Sequence, residues 1–273
     1  MFWLIFISIP VAVLLWIVYT SRNALLCVGR WILWKRYDVT CTSEVEFLPG
    51  KNYLILPNHP ALVDPLILVS ELHHQGVDVC PLVDESFFSM RPVRHLLSLF
   101  HAIRVPDFRK SNFRPVLKIR PEYHSAARRA KALSFSILAL LTAGENVLLY
   151  PSGHITADGA EKLGNRQLAY NVISQLPHGV EVVAVRIRGL YGSMFSRVGG
   201  RHAPFFGTAC IKAILKWPFA LFRKRRAVSL HLELITQRVL DWSRETRQAF
   251  DAQLEKWYDA DIHEKGLTAE EPT

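Results

Sequence analysis

The stretch Pro57-Asn58-His59-Pro60-Ala61-Leu62-Val63-Asp64 places a histidine five residues before an aspartate, at the end of the apolar run Tyr53-Leu54-Ile55-Leu56. A histidine with a nearby carboxylate is the minimum equipment of a general base. The imidazole takes a proton near neutral pH, and the carboxylate fixes its tautomer and stabilises the imidazolium. Pro60 suits the first turn of a helix, where a missing N–H costs nothing. His59 then sits in a strand-to-helix loop, and Asp64 lies one turn further in, close enough to fold back on it. The competing reading of the spacing is that His59 and Asp64 cap a helix. A second apolar run, Asn146–Tyr150, is also followed by proline and glycine, in Tyr150-Pro151-Ser152-Gly153-His154.

The elements that must position these loops follow from hydrophobic period. Tyr53–Leu56, Val77–Val83, Ile103–Val105, Asn146–Tyr150, Val180–Arg188 and Val228–Leu234 read as strands. In the last of these, Val228, Leu230, Leu232 and Leu234 share one face. Asp38–Phe47 reads as a short strand or hairpin arm turned by Pro49-Gly50. Helical spacing marks Leu62–Leu72, Phe87–Phe100, Glu122–Thr142, Gln167–Leu176 and a last helix from about Ser243 to Tyr258. Asp107–Glu122 reads as an exposed basic loop with Arg109, Lys110, Arg114, Lys118 and Arg120, and Glu264–Thr273 as a frayed tail. Strands alternating with helices predict an α/β fold, a central mixed sheet flanked by helices. The His59 and Ser152 loops should meet at one edge of that sheet, where ligands bind in this architecture.

The chain has 273 residues, 50% of them hydrophobic, and a net charge of +9, which favours an anionic partner. Its four cysteines, Cys27, Cys41, Cys80 and Cys210, are widely spaced without a CxxC pair, which argues against a zinc ribbon or disulfide scaffold and suits a reducing compartment. His73-His74 and His101 have no companions at metal-ligand spacing, so no metal is expected. Phe2–Tyr19 is uncharged and reads as a membrane span rather than a signal peptide, which would want a basic start and a small-residue cleavage site. Arg22, Arg30, Lys35 and Arg36 follow it and predict that the bulk of the chain stays on the cytoplasmic side of the cytoplasmic membrane. Ala24–Trp34 reads as an interfacial helix or a second, shallow membrane helix. The predicted organisation is a membrane anchor over 1–36, a catalytic domain over 37–240, and a C-terminal helix and tail over 241–273.

In order, these pieces resemble the motifs of the glycerolipid acyltransferases, typified by 1-acylglycerol-3-phosphate acyltransferases. Asn58-His59, four residues and Asp64 match the NHxxxxD block, which in the family supplies the base and its orienting acid. Ile103-Arg104-Val105 matches the second block, whose arginine contacts the acceptor's phosphate. Tyr150-Pro151-Ser152-Gly153-His154-Ile155 falls where the family has Phe-Pro-Glu-Gly-Thr-Arg, and Val182–Val185 where it has an apolar segment with a proline, here Ala184. The resemblance spans roughly residues 40 to 235. Two departures bear on the acceptor: the third block's glutamate is Ser152 and its arginine is Ile155. Ser152-Gly153, Gly164-Asn165-Arg166 and Arg188–Ser193 are similar to a divergent bacterial branch that includes acyltransferase modules joined to acyl-activating ligases.

The resemblance implies acyl transfer from an acyl-CoA or acyl-carrier-protein thioester to a hydroxyl or amine of a lipid acceptor, with no cofactor beyond that co-substrate. The residues fit: an acceptor hydroxyl is a poor nucleophile at neutral pH, and a base must take its proton as it attacks. His59 is that base, with Asp64 on its other nitrogen. Backbone N–H groups around Ser152-Gly153 are candidate donors to the tetrahedral intermediate. Asn58, Arg104, Ser152, Gly153 and His154 are the expected substrate contacts, Arg104 for an acidic group; its bland alternative is a surface salt bridge. Arg166, Arg186 and Arg188 are candidate replacements for the absent arginine. His154 and Asp158 share the Ser152 loop, where a structural role competes. Leu215–Arg226 mixes Trp217, Phe219 and Phe222 with Lys216, Arg223, Lys224, Arg225 and Arg226, suited to an anionic membrane surface and not to nucleic acid. Two rivals remain: a Ser152-His59-Asp64 lipid hydrolase or thioesterase, which lacks the GxSxG elbow, and a catalytically silent membrane lipid-binding protein.

Overall fold

Helix α1 (Arg22–Arg36) opens the described chain and leads directly into strand β1 (Tyr37–Ser43). The computed structural model describes residues 20–105, 121–164, 166–197, 208–209, 211–212, 215 and 224–260, with backbone alone at 92 and 121–130. The Phe2–Tyr19 span, the basic loop at 106–120, the aromatic part of the 215–226 cluster and the C-terminal tail lie outside the described residues. Among the described residues no helix is long and apolar enough to cross a membrane.

In chain order the remaining elements are β2 (Asn52–Pro57), α2 (Asp64–His74), β3 (Val79–Asp84), a 3-10 turn (Glu85–Ser89), α3 (Arg91–Leu99), β4 (Ile103–Val105), α4 (Pro121–Thr142), β5 (Asn146–Leu148), α5 (Leu168–Ile173), β6 (Val180–Arg188), β7 (Arg226–Leu234), α6 (Thr236–Arg244) and α7 (Arg247–Asp259). The strands form one seven-stranded mixed sheet in the order β1-β7-β6-β2-β5-β3-β4. Every neighbouring pair is parallel except β6 with β7. Strand β2 lies at the centre with both faces covered, so its apolar residues run continuously rather than alternating. Tyr53 and Ile55 pack toward α1 and α2 with Ile67, Leu68 and Leu72, while Leu54 and Leu56 pack toward α4 and α7 with Ile137, Leu141, Phe250 and Leu254. Strand β6 divides the same way: Val183 and Val185 join the first layer, Val182 and Ala184 the second.

Several expected boundaries move. Strand β1 is no hairpin arm: it lies parallel to β7 at the sheet edge, as an entering strand after a helix can. The helix expected over 87–100 is two pieces, because the Asp84 carboxylate accepts the Ser86 N–H at 2.8 Å and starts a separate turn. A proline in the first turn of α3 then restarts the helix. The last helix starts later than expected, at Arg247, where the Thr246 hydroxyl accepts the Ala249 N–H at 3.2 Å and caps α7. Leu234 is 44% exposed rather than inside. Helix α7 carries Phe250, Leu254 and Tyr258 into the core, and the Tyr258 hydroxyl donates to the Leu56 carbonyl at 2.8 Å. Just past the end of β6, Gly189 has φ +87° and a Cβ there would lie 2.2 Å from the Ala227 oxygen, so only glycine lets the chain run this close to β7.

Candidate active site

Parallel pairing of β2 with β5 brings their carboxyl ends side by side. The loops that leave them, at His59 and at Ser152, therefore meet as the sequence predicts. Thr156 donates its N–H to the His59 carbonyl at 2.9 Å, and the His59 and Tyr150 ring centroids are 4.4 Å apart. The helix after His59 begins later than expected, at Asp64 rather than around Pro60, so Asp64 stands in its first turn. A carboxylate there is favoured by the helix dipole.

Asp64 is fully buried and receives donors from several directions. Its oxygens lie 3.0 and 3.1 Å from His59 Nδ1. Oδ2 also accepts the Ala61 N–H at 3.0 Å, and Oδ1 the Tyr150 hydroxyl at 3.0 Å. Surrounded by donors, Asp64 acts as acceptor, which assigns the hydrogen to His59 Nδ1 and leaves the lone pair on Nε2. Burial works against charge on His59, but the Asp64 carboxylate and its hydrogen bond outweigh that, with Glu161 adding, so the imidazole pKa lies above its ordinary value. Burial, and then the Asp64 charge, push the Tyr150 phenol well above its ordinary value and keep it a donor.

The peptide of His59 is clamped on both sides. Its N–H donates to Glu161 Oε2 at 3.1 Å, while its carbonyl takes the Thr156 N–H. Next to it, Asn58 is 3% exposed and spends its amide on β6: Nδ2 donates to the Ile187 carbonyl at 3.1 Å, and Oδ1 accepts the Ile187 N–H at 2.7 Å. Asn58 therefore holds the loop on the central sheet through both ends of its amide. The far side of the loop is tied by the Leu62 N–H to the Phe195 carbonyl at 2.9 Å. Such clamping holds the imidazole in one geometry, which general-base catalysis rewards.

The Ser152 loop differs from expectation in two respects. Ser152 is fully buried, and its hydroxyl donates to the His154 carbonyl at 3.0 Å, not to His59. Gly153, at φ +61°, uses its N–H to close a turn on the Tyr150 carbonyl at 3.1 Å, so that group is not offered to an oxyanion. His154 folds back locally, with Nδ1 2.7 Å from the Ser152 carbonyl oxygen. Asp158 pairs with Lys162, whose hydrogen bond holds its carboxyl below the usual range at an exposed site.

Arg104 is exposed at the carboxyl end of β4, with its guanidinium 4.6 Å from the Phe88 ring centre. The registers Arg104 with Val83, Pro81 with Leu148 and Leu148 with Ile55 put it level with Tyr150 and Pro57. It thus shares the sheet edge with His59, three strand spacings or roughly 14 Å to the side. The candidate replacement arginines lie otherwise. Arg186 and Arg188 donate to the Trp257 and Tyr258 carbonyls at the end of α7, and Arg186 also stacks on Trp257 at 4.3 Å. Arg166 is exposed. Among the described residues Glu44, His231 and Glu233 are grouped closely enough to hold a metal ion, but Glu233 is already engaged by Arg238 and by the Trp257 indole N–H at 2.8 Å.

Two residues of the site were not singled out from the sequence. Tyr150 stands where the related block has phenylalanine, and its hydroxyl was the available signal. Glu161 is 1% exposed and has no local signal, being 102 residues from the N–H it accepts. Burial raises its carboxyl to about 7 against the pull of the Ser152 hydroxyl and of the His59 N–H and imidazole.

Residues 38–188 match the protein family described as Acyltransferase. The fold is similar to the crystal structure of the 1-acyl-sn-glycerophosphate (LPA) acyltransferase PlsC from Thermotoga maritima, with a TM-score of 0.56 at 12% sequence identity over 96% of this chain and 91% of that one. No curated protein sequence matches the chain.

Proposed function

The chain belongs to the acyltransferase family, and from that premise we propose that it moves a fatty acyl group from an acyl-CoA or acyl-carrier-protein thioester to a hydroxyl or amine of a lysophospholipid-like acceptor. The observation that carries this reading is the His59 imidazole, held through Nδ1 on a fully buried Asp64 with Nε2 left as the basic atom. Nε2 takes the acceptor's proton as its oxygen or nitrogen attacks the thioester carbonyl. Collapse of the tetrahedral intermediate breaks the C–S bond, and the imidazolium returns the proton to the departing thiolate. No covalent enzyme intermediate is needed.

The Thermotoga maritima enzyme is a 1-acyl-sn-glycerophosphate acyltransferase. Here the two polar groups of the third block are replaced by buried residues, Ser152 and Ile155 at 6% exposure, which leaves Arg104 as the cation at the expected position. A phosphate-bearing acceptor would lose a charge-assisted hydrogen bond in Arg104→Ala. With lysophosphatidate as acceptor, KM should rise about 10- to 100-fold while kcat holds. A KM that does not move removes Arg104 from acceptor binding.

Placement at the cytoplasmic face of a membrane is part of the same proposal. Trp31 and Ile32 on α1 are 61% and 39% exposed, with Lys35 5.5 Å from the Trp31 ring and Arg30 4.5 Å from the Trp34 ring. Exposed aromatics beside cations suit the headgroup region of an anionic bilayer. An acyl-carrier protein, itself an acidic partner, is an alternative donor that the basic chain would also attract.

A serine hydrolase would need the Ser152 hydroxyl on His59, and that hydroxyl is buried on His154. Ser152→Ala is expected to keep acyl transfer within about tenfold of the parent, since only one neutral hydrogen bond is lost. A serine hydrolase would lose several orders of magnitude. Both outcomes are read with a labelled acyl thioester, following product and free fatty acid separately.

A further inference from the structure

The segment that follows Ser152 carries a buried carboxyl beside the base. Glu161 lies nine residues on and is 1% exposed. Its Oε2 accepts the His59 N–H at 3.1 Å, the main-chain group of the base itself. Its Oε1 is buried beside the Ser152 hydroxyl, which lowers the Glu161 pKa and also donates to the His154 carbonyl. A carboxyl buried this deeply is costly to keep charged.

The loop carrying Glu161 is held from the far end of the molecule. Its own N–H bonds Asp259, and the Leu163 N–H donates to Glu255 Oε1 at 2.6 Å, both at the end of α7. The Tyr258 hydroxyl, on the same helix, reaches the Leu56 carbonyl just before the His59 loop. Helix α7 therefore fixes Glu161 and the end of β2 together.

We propose that Glu161 is a positioning residue for His59: it holds the main chain of the base through Oε2 and presents a second carboxyl to the imidazole. The groups facing His59 are Asp64 from α2, Tyr150 after β5, and Glu161. Those facing Glu161 are His59, Asp64, Tyr150, Ser152 and Tyr258, with Asp259 on its main-chain N–H. A negative charge at Glu161 favours the imidazolium and so makes Nε2 a stronger base. The inference deepens the reading of His59 as base, and its first measurement does not depend on acyl transfer.

The test is Glu161→Gln, which keeps an oxygen for the His59 N–H and removes the charge. Histidine side-chain NMR of the full chain, with His59 assigned by its loss in His59→Ala, should place the His59 titration at lower pH in Glu161→Gln. Glu161→Asp restores a carboxylate and should move it back. An unchanged titration in Glu161→Gln overturns the proposal. With palmitoyl-CoA and lysophosphatidate as probes, the acid limb of kcat should move to lower pH in step, with KM for the thioester unchanged. A lowered plateau without movement of the limb means a purely structural residue and also overturns it. Should the parent chain transfer no acyl group to this or any other acceptor, the function proposed above fails, while the NMR titration still decides the role of Glu161.

Discussion

His59→Ala should lower kcat for acyl transfer by about 10²- to 10⁴-fold, the usual worth of a positioned general base. KM for the thioester should stay close to that of the parent, because the imidazole acts on the acceptor's proton and binds no part of the donor. The variant should fold. The two bonds that clamp this position, N–H to Glu161 and carbonyl from Thr156, are main-chain groups and survive the truncation. Asp64 keeps the Ala61 N–H and the Tyr150 hydroxyl. It loses one donor, and a buried carboxylate short of a partner costs about 1–3 kcal/mol. Circular dichroism with a thermal midpoint separates that loss from the catalytic one. Product formation at the parental rate, from a purified thioester and an acceptor the parent uses, would refute the general-base role. The pH dependence has a fixed sign. The base must be neutral to work, and Asp64 with Glu161 holds the His59 pKa above its ordinary value. Activity should therefore rise with pH through a midpoint higher than that of a free imidazole.

The His59–Asp64 contact was legible because its parts are local. His59 and Asp64 are five residues apart on either side of a strand-to-helix loop, and a pattern of that length survives in sequence. Strands β2 and β6 and helix α4 were legible for the same reason, since each is a long apolar run or a clear helical face. What the chain hides is whatever depends on a second element arriving. Asn58 belongs to the motif, yet its job is decided by Ile187 on β6, 129 residues away. Arg186 and Arg188 looked like spare cations until the end of α7 took both. Helix α6 went unseen because it is only nine residues long and mostly polar, with Val239 its one fully buried residue. The N–H of Gly153 illustrates the limit at a single atom. Glycine at a loop after a strand suggests a donor for an oxyanion, but φ of +61° turns that N–H onto Tyr150. Glu161 is the extreme case: exposed Asp158 and Lys162 surround a carboxyl that points inward, and no period distinguishes them.

Glu161→Gln is expected to stabilise the protein at pH 8, although it weakens the base. The sign follows from linkage. In the unfolded chain this carboxyl ionises near its reference value of 4.5, whereas burial raises it to about 7 in the folded protein. Between those values the folded state holds a proton that the unfolded state has released, so stability falls as pH rises. Above the folded value the loss is complete. A difference of about 2.5 units corresponds to about 3 kcal/mol. Glutamine carries no charge and does not incur this loss. The variant should therefore gain about 3 kcal/mol on the parent between pH 5 and pH 8, a rise of the thermal midpoint relative to the parent on the order of 5–10 °C. His59 slopes the same way in both proteins, since a raised imidazole pKa contributes stability below its unfolded value that is lost as pH rises through the folded one. Comparing the two proteins at each pH removes most of that shared slope. Urea unfolding at pH 5 and pH 8 reads the effect directly. A variant no more stable than the parent at pH 8 than at pH 5 means that Glu161 stays protonated there and lends His59 no charge. A variant that is more stable but has a weaker base has the signature of a residue kept for catalysis at the expense of folding.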